Sequence, residues 1–320
     1  MANVIAGISS HLPERIVTND ELSQALDTSH EWIFTRTGIE KRHIAATNEF
    51  SSDLGITAAM VALGKAGVAP KDVDAIIVST TTADRRFPSC ACRIQGEIGA
   101  ARAFAFDINA ACAGFIYGLA VADSMMNSMR LKNVLLVAAE TLTKFVDWSD
   151  RATCVLFGDG AGAFVLQTVD DPAAGGIIAT KLYSDGTEAK YNSILSHGGP
   201  QNGNRGYITM VGRAVFKYAI DCMASSMNEI LEENKMTIDD IDWIIPHQAN
   251  KRILESMCKI RDFPIEKLIV TTQEHANTSS ASIPLALSQA MADGKVKSGD
   301  TLLFTAMGAG LVWGASIVRI

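Results

Sequence analysis

The stretch Asp72-Val-Asp-Ala-Ile-Ile77 recurs later in the chain as Asp240-Ile-Asp-Trp-Ile-Ile245, which starts 240 − 72 = 168 residues further on. A second pair, Asn133-Val-Leu-Leu-Val-Ala-Ala139 and Asp300-Thr-Leu-Leu-Phe-Thr-Ala306, has a similar offset of 300 − 133 = 167 residues. Short apolar runs of this kind are typical of buried strands in mostly parallel sheets. The near-equal offsets indicate that one α/β unit of about 160 residues occurs twice.

Each Asp-x-Asp-x-Ile-Ile run follows a segment with the pattern of a helix. Residues 54–66 are rich in Ala, Leu and Met, and residues 215–232 place apolar side chains at helical spacing. The polar, Gly- and Pro-rich segment 170–176 is the predicted junction between the copies. The pattern therefore predicts two α/β halves, 1–171 and 172–320, with mixed but mostly parallel sheets.

Composition narrows the class of protein. The chain has 320 residues, 48% of them apolar, which is ample for a globular core, and a net charge of −7 argues against a nucleic-acid binder. The six cysteines have no paired metal-site spacing, so no metal site or disulfide is expected. No leader pattern or membrane-length apolar run is seen, which predicts a cytoplasmic protein without a membrane segment.

Two glycine-rich segments need an interpretation of their own. Residues 184–206 contain five Gly, three Asn and one Pro, and a loop of this length is usually functional, so we expect it to cover a binding region. Gly158-Asp-Gly160-Ala-Gly162 looks like a dinucleotide fingerprint. Its third glycine comes one residue early and a strand pattern follows, so nucleotide binding is not expected there.

Cys112 is the first candidate catalytic residue. It lies in Asn109-Ala-Ala-Cys112-Ala-Gly-Phe115, after a predicted strand at 104–108 and at the start of a helix with no charged residue up to Ala122. The N-terminus of a helix carries partial positive charge, which lowers the pKa of a thiol and favours the nucleophilic thiolate. The alternative is a small buried cysteine that serves only packing.

Three further segments carry candidate chemistry. His247 follows the predicted strand 243–245, where α/β active sites form, although a lone His is often structural. Asn277 lies near the start of a predicted helix that runs from His275 to Met291, and it would either cap that helix or donate a hydrogen bond to an oxyanion or enolate. The Gly-rich turn after Met307 allows a backbone amide to approach a substrate, and with the amide of Cys112 it would form an oxyanion hole.

Six motifs taken together resemble the β-ketoacyl-acyl-carrier-protein synthase III family of thiolase-fold condensing enzymes over essentially the whole chain. The Cys–His–Asn set separates it from thiolases, which use a second Cys, and from elongating synthases, which use two His. The motifs are Trp32-Ile-Phe-Thr-Arg36-Thr-Gly38-Ile, Asn109-Ala-Ala-Cys112-Ala-Gly-Phe, Phe157-Gly-Asp-Gly-Ala-Gly, Pro246-His247-Gln-Ala-Asn250, Asn277-Thr-Ser and Gly308-Ala-Gly310-Leu-Val-Trp313-Gly.

The resemblance implies a five-layer α-β-α-β-α homodimer and a reaction in two stages. Cys112 would take the acyl group from an acyl-CoA primer, acetyl-CoA in the simplest case, with the amides of Cys112 and Ala309 as the oxyanion hole. Malonyl-acyl-carrier protein (malonyl-ACP) would then lose carbon dioxide while His247 and Asn277 stabilise the enolate, and the carbanion would attack the acyl group. CoA and phosphopantetheine are substrates here, and no cofactor is implied.

The resemblance also implies roles for surrounding residues. Trp32 and Arg151 resemble the pair that sandwiches the CoA adenine. The other residues implied for the CoA or pantetheine arm are Thr28, Arg36, Lys217, Ala249 and Asn250. Those implied for the acyl pocket are Phe87, which would cross the dimer interface, Leu142, Phe157 and Met307. The basic residues after the His motif are a separate hypothesis: Arg252 and Lys259 are seven residues apart and share one helical face. Lys251, Arg252 and Lys259 would form either a docking site for the acidic carrier protein or a solvated charged face.

Three departures from the family pattern and three other functions remain open. Ala309 replaces a glycine of which only the amide is needed, Met307 stands where Phe is frequent, and Ala276 replaces a glycine before Asn277. The main alternative is a condensing enzyme of secondary metabolism with an unusual starter or a CoA-bound extender. A non-catalytic acyl-CoA binder and a simple cysteine hydrolase are the others. Starter specificity is not determined by these residues, because one methylene changes binding by only about 1–3 kcal/mol.

Overall fold

The computed structural model describes residues 1–171, 173–187, 195–197 and 206–320. The strands are β1 Ala2–His11, β2 Arg15–Thr18, β3 Lys41–Ile44, β4 Ala75–Ser79, β5 Phe104–Ile108, β6 Asn133–Thr141, β7 Asp159–Val169, β8 Gly176–Ser184, β9 Leu195–His197, β10 Ile208–Met210, β11 Trp243–Pro246, β12 Thr301–Gly308 and β13 Val312–Arg319. The helices are α1 Asn19–Ser23, α2 His30–Thr37, α3 Ser51–Ala66, α4 Cys90–Ile98, α5 Gly114–Met129, α6 Gly212–Glu233, α7 Lys251–Ile260, α8 Thr272–His275 and α9 Ser282–Ala292.

The strands form two main sheets. The first has the order β1-β7-β6-β4-β5 and the second has the order β11-β12-β13-β8. The predicted strands at 104–108 and 243–245 are present as β5 and β11, and β7 occupies the segment after Gly158, which confirms that a strand follows there. The halves 1–171 and 172–320 stay a prediction.

The predicted mixed sheets are confirmed, but the prediction that they are mostly parallel is wrong. Among the described strands, β4 pairs in parallel with β5 and β6, and β11 pairs in parallel with β12. The pairs β1–β7, β6–β7, β12–β13 and β13–β8 are antiparallel. The parallel strands are joined through helices, as parallel pairing requires. β12 and β13 need only a tight turn, and no crossover helix separates β6 from β7.

Hydrophobic packing arranges these elements in the five predicted layers. Helices α3 and α4 cover the outer face of the first sheet, and α6 and α7 cover the outer face of the second. Helices α5 and α9 lie between the sheets, where Phe115 packs edge-on against Phe164 at 4.8 Å and Phe304 at 6.1 Å between ring centroids. The uncharged stretch that continues to Ala122 is therefore the buried central helix of a globular protein.

Two short 3₁₀ turns precede the central helices and replace parts of the predicted helices. The first, Ala111–Ala113, is named the Cys112 turn, and it leads into α5. The second, Ser279–Ala281, is named the Ser279 turn, and it leads into α9. The helix that the sequence predicts from His275 to Met291 is thus interrupted, because Ala276 and Ser279 both have positive φ angles, at +56° and +50°.

The segment 184–206 lies mostly outside the described residues. Its described part is not all loop, because Leu195–His197 forms a strand that pairs antiparallel with β10. None of the described helices combines the length and apolar character that crossing a membrane requires.

Candidate active site

A cavity of about 240 Å³ opens between the two halves, at the ends of the central strands. Cys112, His247 and Asn277 all line it, although 135 residues separate Cys112 from His247 (247 − 112). The cavity is lined by these predicted site residues: Trp32, Arg36, Cys112, Arg151, Phe157, His247, Ala249, Asn250, Arg252, Asn277 and Met307. The fold therefore assembles residues from five of the six sequence motifs at one place.

Cys112 is presented by the Cys112 turn, directly after β5 and before α5. Its side chain is 8% exposed. Burial raises the pKa of the thiol from 9.0 to about 11, against a hydrogen bond from Ser279 that lowers it, while Glu140 raises it further. The expected lowering of this pKa is therefore wrong for the free protein, because loss of hydration outweighs the partial charge of the helix.

His247 directly follows β11 and still bonds the neighbouring strand β12: its backbone N–H donates to the carbonyl of Thr305 at 2.8 Å. Its Nδ1 lies 2.7 Å from the Ser282 hydroxyl, which also accepts from the backbone N–H of Gln248 at 3.2 Å. Burial lowers the pKa of the imidazole to about 4, although a hydrogen bond with the backbone of Ser279 acts in the opposite direction. The ring is therefore neutral at pH 7, and Nε2 is the nitrogen that Ser282 leaves free.

Asn277 is held by a local hydrogen bond that fixes which end of its amide is available. Its Oδ1 accepts from the backbone N–H of Ser279 at 2.9 Å. A backbone N–H can only donate, so the oxygen must be the atom that faces it and Nδ2 remains as the donor. The backbone of Asn277 also bridges to Phe157, which ties the Ser279 turn to the wall of the cavity.

Gly308 brings the end of β12 against the Cys112 turn. A Cβ placed on Gly308 would lie 2.6 Å from the backbone nitrogen of Cys112 and 3.1 Å from that of Ala113, so only glycine allows this approach. Ala309 follows immediately and is partly exposed. The oxyanion hole formed by the amides of Cys112 and Ala309 stays a prediction.

Two arginine side chains pack against the Trp32 ring at the open end of the cavity. The guanidinium carbon of Arg36 lies 4.4 Å from the ring centroid of Trp32, and that of Arg151 lies 4.6 Å from it. Arg151 thus stacks directly on the indole, where the predicted sandwich would need room for a purine between them. An adenine ring can enter only if Arg151 moves away from Trp32.

Several predicted site residues do not line the cavity. Phe87 is 83% exposed, Leu142 is buried in a neighbouring apolar cluster, and Lys217 is exposed on α6. The hydroxyl of Thr28 is buried without a hydrogen-bond partner among the described residues. The predicted docking residues also differ from each other. Arg252 reaches the cavity. Lys251 packs against Gly38, and its Nζ lies 3.8 Å from a carboxylate oxygen of Glu255. Lys259 is exposed near the end of α7.

Other residues of the site were not predicted. Ser279 and Ser282 support the catalytic residues, and their only signal was the run of small hydroxyl residues after Asn277. Met210 and Met223 line the cavity beside Met307 and belong to no motif.

Asp159, the acidic residue of the Gly158–Gly162 motif, has a structural role. It is fully buried and accepts from the backbone N–H groups of Ala45 and Thr143 at 2.8 and 2.9 Å, so it anchors those two segments.

Comparisons with known proteins agree with this geometry. Family models of 3-oxoacyl-[acyl-carrier-protein (ACP)] synthase III match residues 106–186 and, for the C-terminal part, residues 231–320. The β-ketoacyl-[acyl-carrier-protein] synthase III of Ehrlichia canis is 50% identical over 322 aligned positions that cover 99% of each chain. The chain belongs to the β-ketoacyl-acyl-carrier-protein synthase III family.

Solved structures extend this similarity to three dimensions. The crystal structure of 3-oxoacyl-[acyl-carrier-protein] synthase III from Aquifex aeolicus has a TM-score of 0.94 and 44% identity, with all of both chains covered. The priming β-ketosynthase of the R1128 polyketide pathway has a TM-score of 0.93 and 35% identity, covering 100% of this chain and 96% of its own. The predicted thiolase fold and acyltransferase-type condensing activity of fatty acid biosynthesis are confirmed, and the alternative in secondary metabolism is not favoured.

Proposed function

We propose that this enzyme transfers the acyl group of an acyl-CoA primer to Cys112 and condenses it with malonyl-ACP. The observation that carries the proposal is the convergence of Cys112, His247 and Asn277 on one cavity from three separate segments. The products would be β-ketoacyl-ACP, CoA and carbon dioxide. Acetyl-CoA is the proposed primer, and neither a metal nor a further cofactor takes part in the proposed reaction.

In the first stage the reaction starts from a neutral thiol and a neutral imidazole. As Sγ of Cys112 attacks the thioester carbonyl, Nε2 of His247 takes the thiol proton and then gives it to the departing CoA sulfur. The Ser282 hydroxyl accepts from Nδ1 when the ring is charged. Backbone amides of Cys112 and Ala309 would stabilise the tetrahedral oxyanion.

In the second stage His247 and Asn277 act as hydrogen-bond donors. With a proton on Nε2, the neutral ring accepts from the Ser282 hydroxyl at Nδ1 and donates to the thioester oxygen of the malonyl group. Nδ2 of Asn277 is a second donor to the same developing charge as carbon dioxide leaves. The carbanion then attacks the acyl carbon, the sulfur of Cys112 departs, and one proton is taken up from water.

Mass spectrometry and product assays with single variants test these roles. After mixing with acetyl-CoA, we expect an acetyl adduct on the wild type and on Asn277→Ala, but none on Cys112→Ala. With malonyl-ACP, Asn277→Ala should form product about 10²–10³ times more slowly, which is typical for loss of one oxyanion donor. The control is Cys258→Ala, which removes a buried thiol outside the cavity.

Each remaining alternative has a different outcome in the same assay. A pure acyl-CoA binder would show no adduct on the wild type. A cysteine hydrolase would form the adduct and release acetate without condensation. An enzyme with a CoA-bound extender would accept malonyl-CoA in preference to malonyl-ACP.

The CoA and carrier-protein contacts belong to the same proposal. Trp32, Arg36 and Arg151 form an aromatic and cationic surface that suits a nucleotide, and Ala249 and Asn250 also line the cavity. Arg252 is the best supported docking residue, because it is exposed and reaches the cavity where a pantetheine arm would enter. Charge reversal of Arg252 should raise the half-saturating concentration of malonyl-ACP, and an unchanged value would contradict docking there.

A homodimer is supported by the edge of the first sheet. β5 is the last strand of that sheet among the described residues, and Phe104 on it is 36% exposed and stacks with Phe106. Phe87 is almost fully exposed, which is unusual for an aromatic ring unless a partner covers it. Light scattering should give twice the mass of the chain. The cytoplasmic location stays a prediction.

A further inference from the structure

Glu140 is a buried carboxylate for which the proposed reaction has no role so far. It lies near the end of β6 with no exposed surface. Its oxygens accept from the backbone N–H of Thr81 at 3.1 Å, from the Thr82 hydroxyl at 2.6 Å and from the Ser280 hydroxyl at 2.9 Å. No cation forms a salt bridge with it in the described part of the chain.

The bond from Ser280 connects Glu140 to the catalytic groups of both halves. Ser280 belongs to the Ser279 turn, whose first backbone N–H holds Oδ1 of Asn277. Ser280 also lies beside Gly114, where an added Cβ would be 3.4 Å from the Ser280 Cβ, and Gly114 follows the Cys112 turn. A single carboxylate thus joins the segment after β4, strand β6 and the Ser279 turn, which starts two residues after Asn277.

The charge of Glu140 also acts on Cys112. Burial raises the pKa of Glu140 itself, while the hydroxyl and amide donors around it act against that shift. The carboxylate adds to the effect of burial in raising the pKa of the Cys112 thiol. The other titratable groups on the cavity wall are His247, which is neutral, and three arginines at the open end: Arg36, Arg151 and Arg252.

We propose that Glu140 is a positioning residue for the condensing reaction: through the hydrogen bond from Ser280 it holds the Ser279 turn, and with it Asn277, against the Cys112 turn. The proposal rests on the proposed roles of Cys112 and Asn277. It does not depend on which acyl group or extender is used.

The first test is the rate of each stage in the Glu140→Gln variant. The amide has the shape of the carboxylate, but its NH₂ group cannot accept hydrogen bonds from the donors around Glu140, so the Ser279 turn loses support. The acetyl adduct should still form, while condensation should slow about tenfold. Asp159→Asn is the matched control. It replaces another buried carboxylate, one that bonds Ala45 and Thr143 and not the Ser279 turn, and its condensation rate should equal that of the wild type.

The second test is the rate of each stage in Ser280→Ala. This variant keeps the charge of Glu140 but removes its bond to the Ser279 turn, so the acetyl adduct should still form while condensation slows about tenfold, less than for direct loss of a donor. Ser288→Ala is the control, since Ser288 lies on α9 outside the cavity lining and its hydroxyl accepts from that of Ser10 on β1.

The outcomes separate the two proposals. Condensation at the wild-type rate in Glu140→Gln or in Ser280→Ala overturns the role of Glu140. If Glu140→Gln does not fold, the condensation rate of Ser280→Ala decides alone. Absence of an acetyl adduct on the wild type contradicts the proposed function instead, whereas an adduct together with an unchanged condensation rate in Ser280→Ala overturns only the role of Glu140.

Discussion

At the scale of the residue, the charge state of Cys112 shows how burial competes with local fields. The thiol has the predicted place between β5 and the central helix, yet burial raises its pKa to about 11 and lowers that of His247 to about 4. Between about pH 4 and pH 11, the Cys112 thiol and the His247 imidazole are therefore both neutral in the free enzyme. An ion pair of thiolate and imidazolium is therefore not the resting state, and the proton must move as the thioester is attacked.

The neutral pair gives a prediction for the pH dependence of acyl transfer. We expect kcat/KM for acetyl-CoA, measured by release of CoA, to be flat between about pH 6 and pH 9, because neither group titrates in that range. The rate should fall only towards pH 4, as the His247 ring gains a proton. A rise with an apparent pKa near 7 would indicate a resting thiolate and contradict this account.

The stack on Trp32 gives a second prediction at this scale. Trp32→Ala removes the surface on which Arg36 and Arg151 lie, and that loss should raise KM for acetyl-CoA about tenfold with kcat nearly unchanged. Steady-state kinetics with varied acetyl-CoA measures both. Trp148→Ala is a suitable control, since this exposed indole lies outside the cavity. An equal change in KM for both variants would argue against a CoA contact at Trp32.

At the scale of the element, the site depends on how closely β12 approaches the Cys112 turn. Gly308 ends that strand, and its missing side chain lets the strand touch the backbone of Cys112. The Ser279 turn approaches from the other half, so the nucleophile lies between a strand and a turn that are both distant in sequence. Small shifts of either element would move the amides that are proposed to hold the oxyanion.

Gly308→Ala tests this close approach. The new Cβ would lie within 3 Å of the Cys112 amide nitrogen, so the strand or the turn must move and acyl transfer should fall at least about 10²-fold. The measurement is the rate of acetyl adduct formation. Gly64→Ala is the matched control, because nothing lies within 4 Å of its new Cβ in helix α3, and there we expect unchanged activity and slightly higher stability. An active Gly308→Ala would show that the turn does not depend on this contact.

At the scale of the whole molecule, the two halves place equivalent features against each other. The Cys112 turn starts at residue 111 and the Ser279 turn at residue 279, an offset of 279 − 111 = 168 that matches the repeat in the sequence. Both turns precede a helix of the central layer, and they contact each other. The active site therefore lies where these two equivalent turns meet. The first contains Cys112 and the second follows Asn277, so the two halves contribute different catalytic residues.

Burial of titratable groups across the molecule predicts how stability changes with pH. The pKa of His275 is about 4 in the folded protein, so the native state excludes a proton that the unfolded chain binds below about pH 6.5. The free energy of unfolding therefore falls as pH drops through that window, and His247 acts in the same direction. Asp159, with a raised pKa of about 6, acts oppositely between about pH 4 and 6.

His275→Gln should reduce this loss of stability on acidification. Urea unfolding at pH 6.5 and pH 5 should show a smaller difference than in the wild type, by up to about 1.4 kcal/mol per pH unit. The control is His30→Gln, which changes an exposed ring that is in water before and after unfolding. If the unfolding free energy of His275→Gln fell as much between pH 6.5 and pH 5 as that of the wild type, groups other than His275 would be responsible for the loss of stability in acid.

The amino-acid sequence alone indicated the duplicated α/β architecture and the three residues that meet in the cavity, whereas the five layers were implied by the resemblance to a known family. The duplication is visible as repeated apolar runs and the three residues as short motifs, and both are local in the chain. The direction of the strands was predicted wrongly, because a buried apolar run does not show whether its strand pairs in parallel or antiparallel, and β6 with β7 and β12 with β13 pair antiparallel.

Three features became visible only in the folded protein: the protonation of Cys112 and His247, the direct contact of Arg151 with Trp32, and buried partners such as Ser282 and Glu140. Each of these depends on how much water is excluded from a group and on which distant atoms replace that water. A thiol beside a helix and a thiol buried between two halves have the same sequence signal, and their pKa values differ because the dielectric surroundings and the neighbouring charges are set by residues far along the chain.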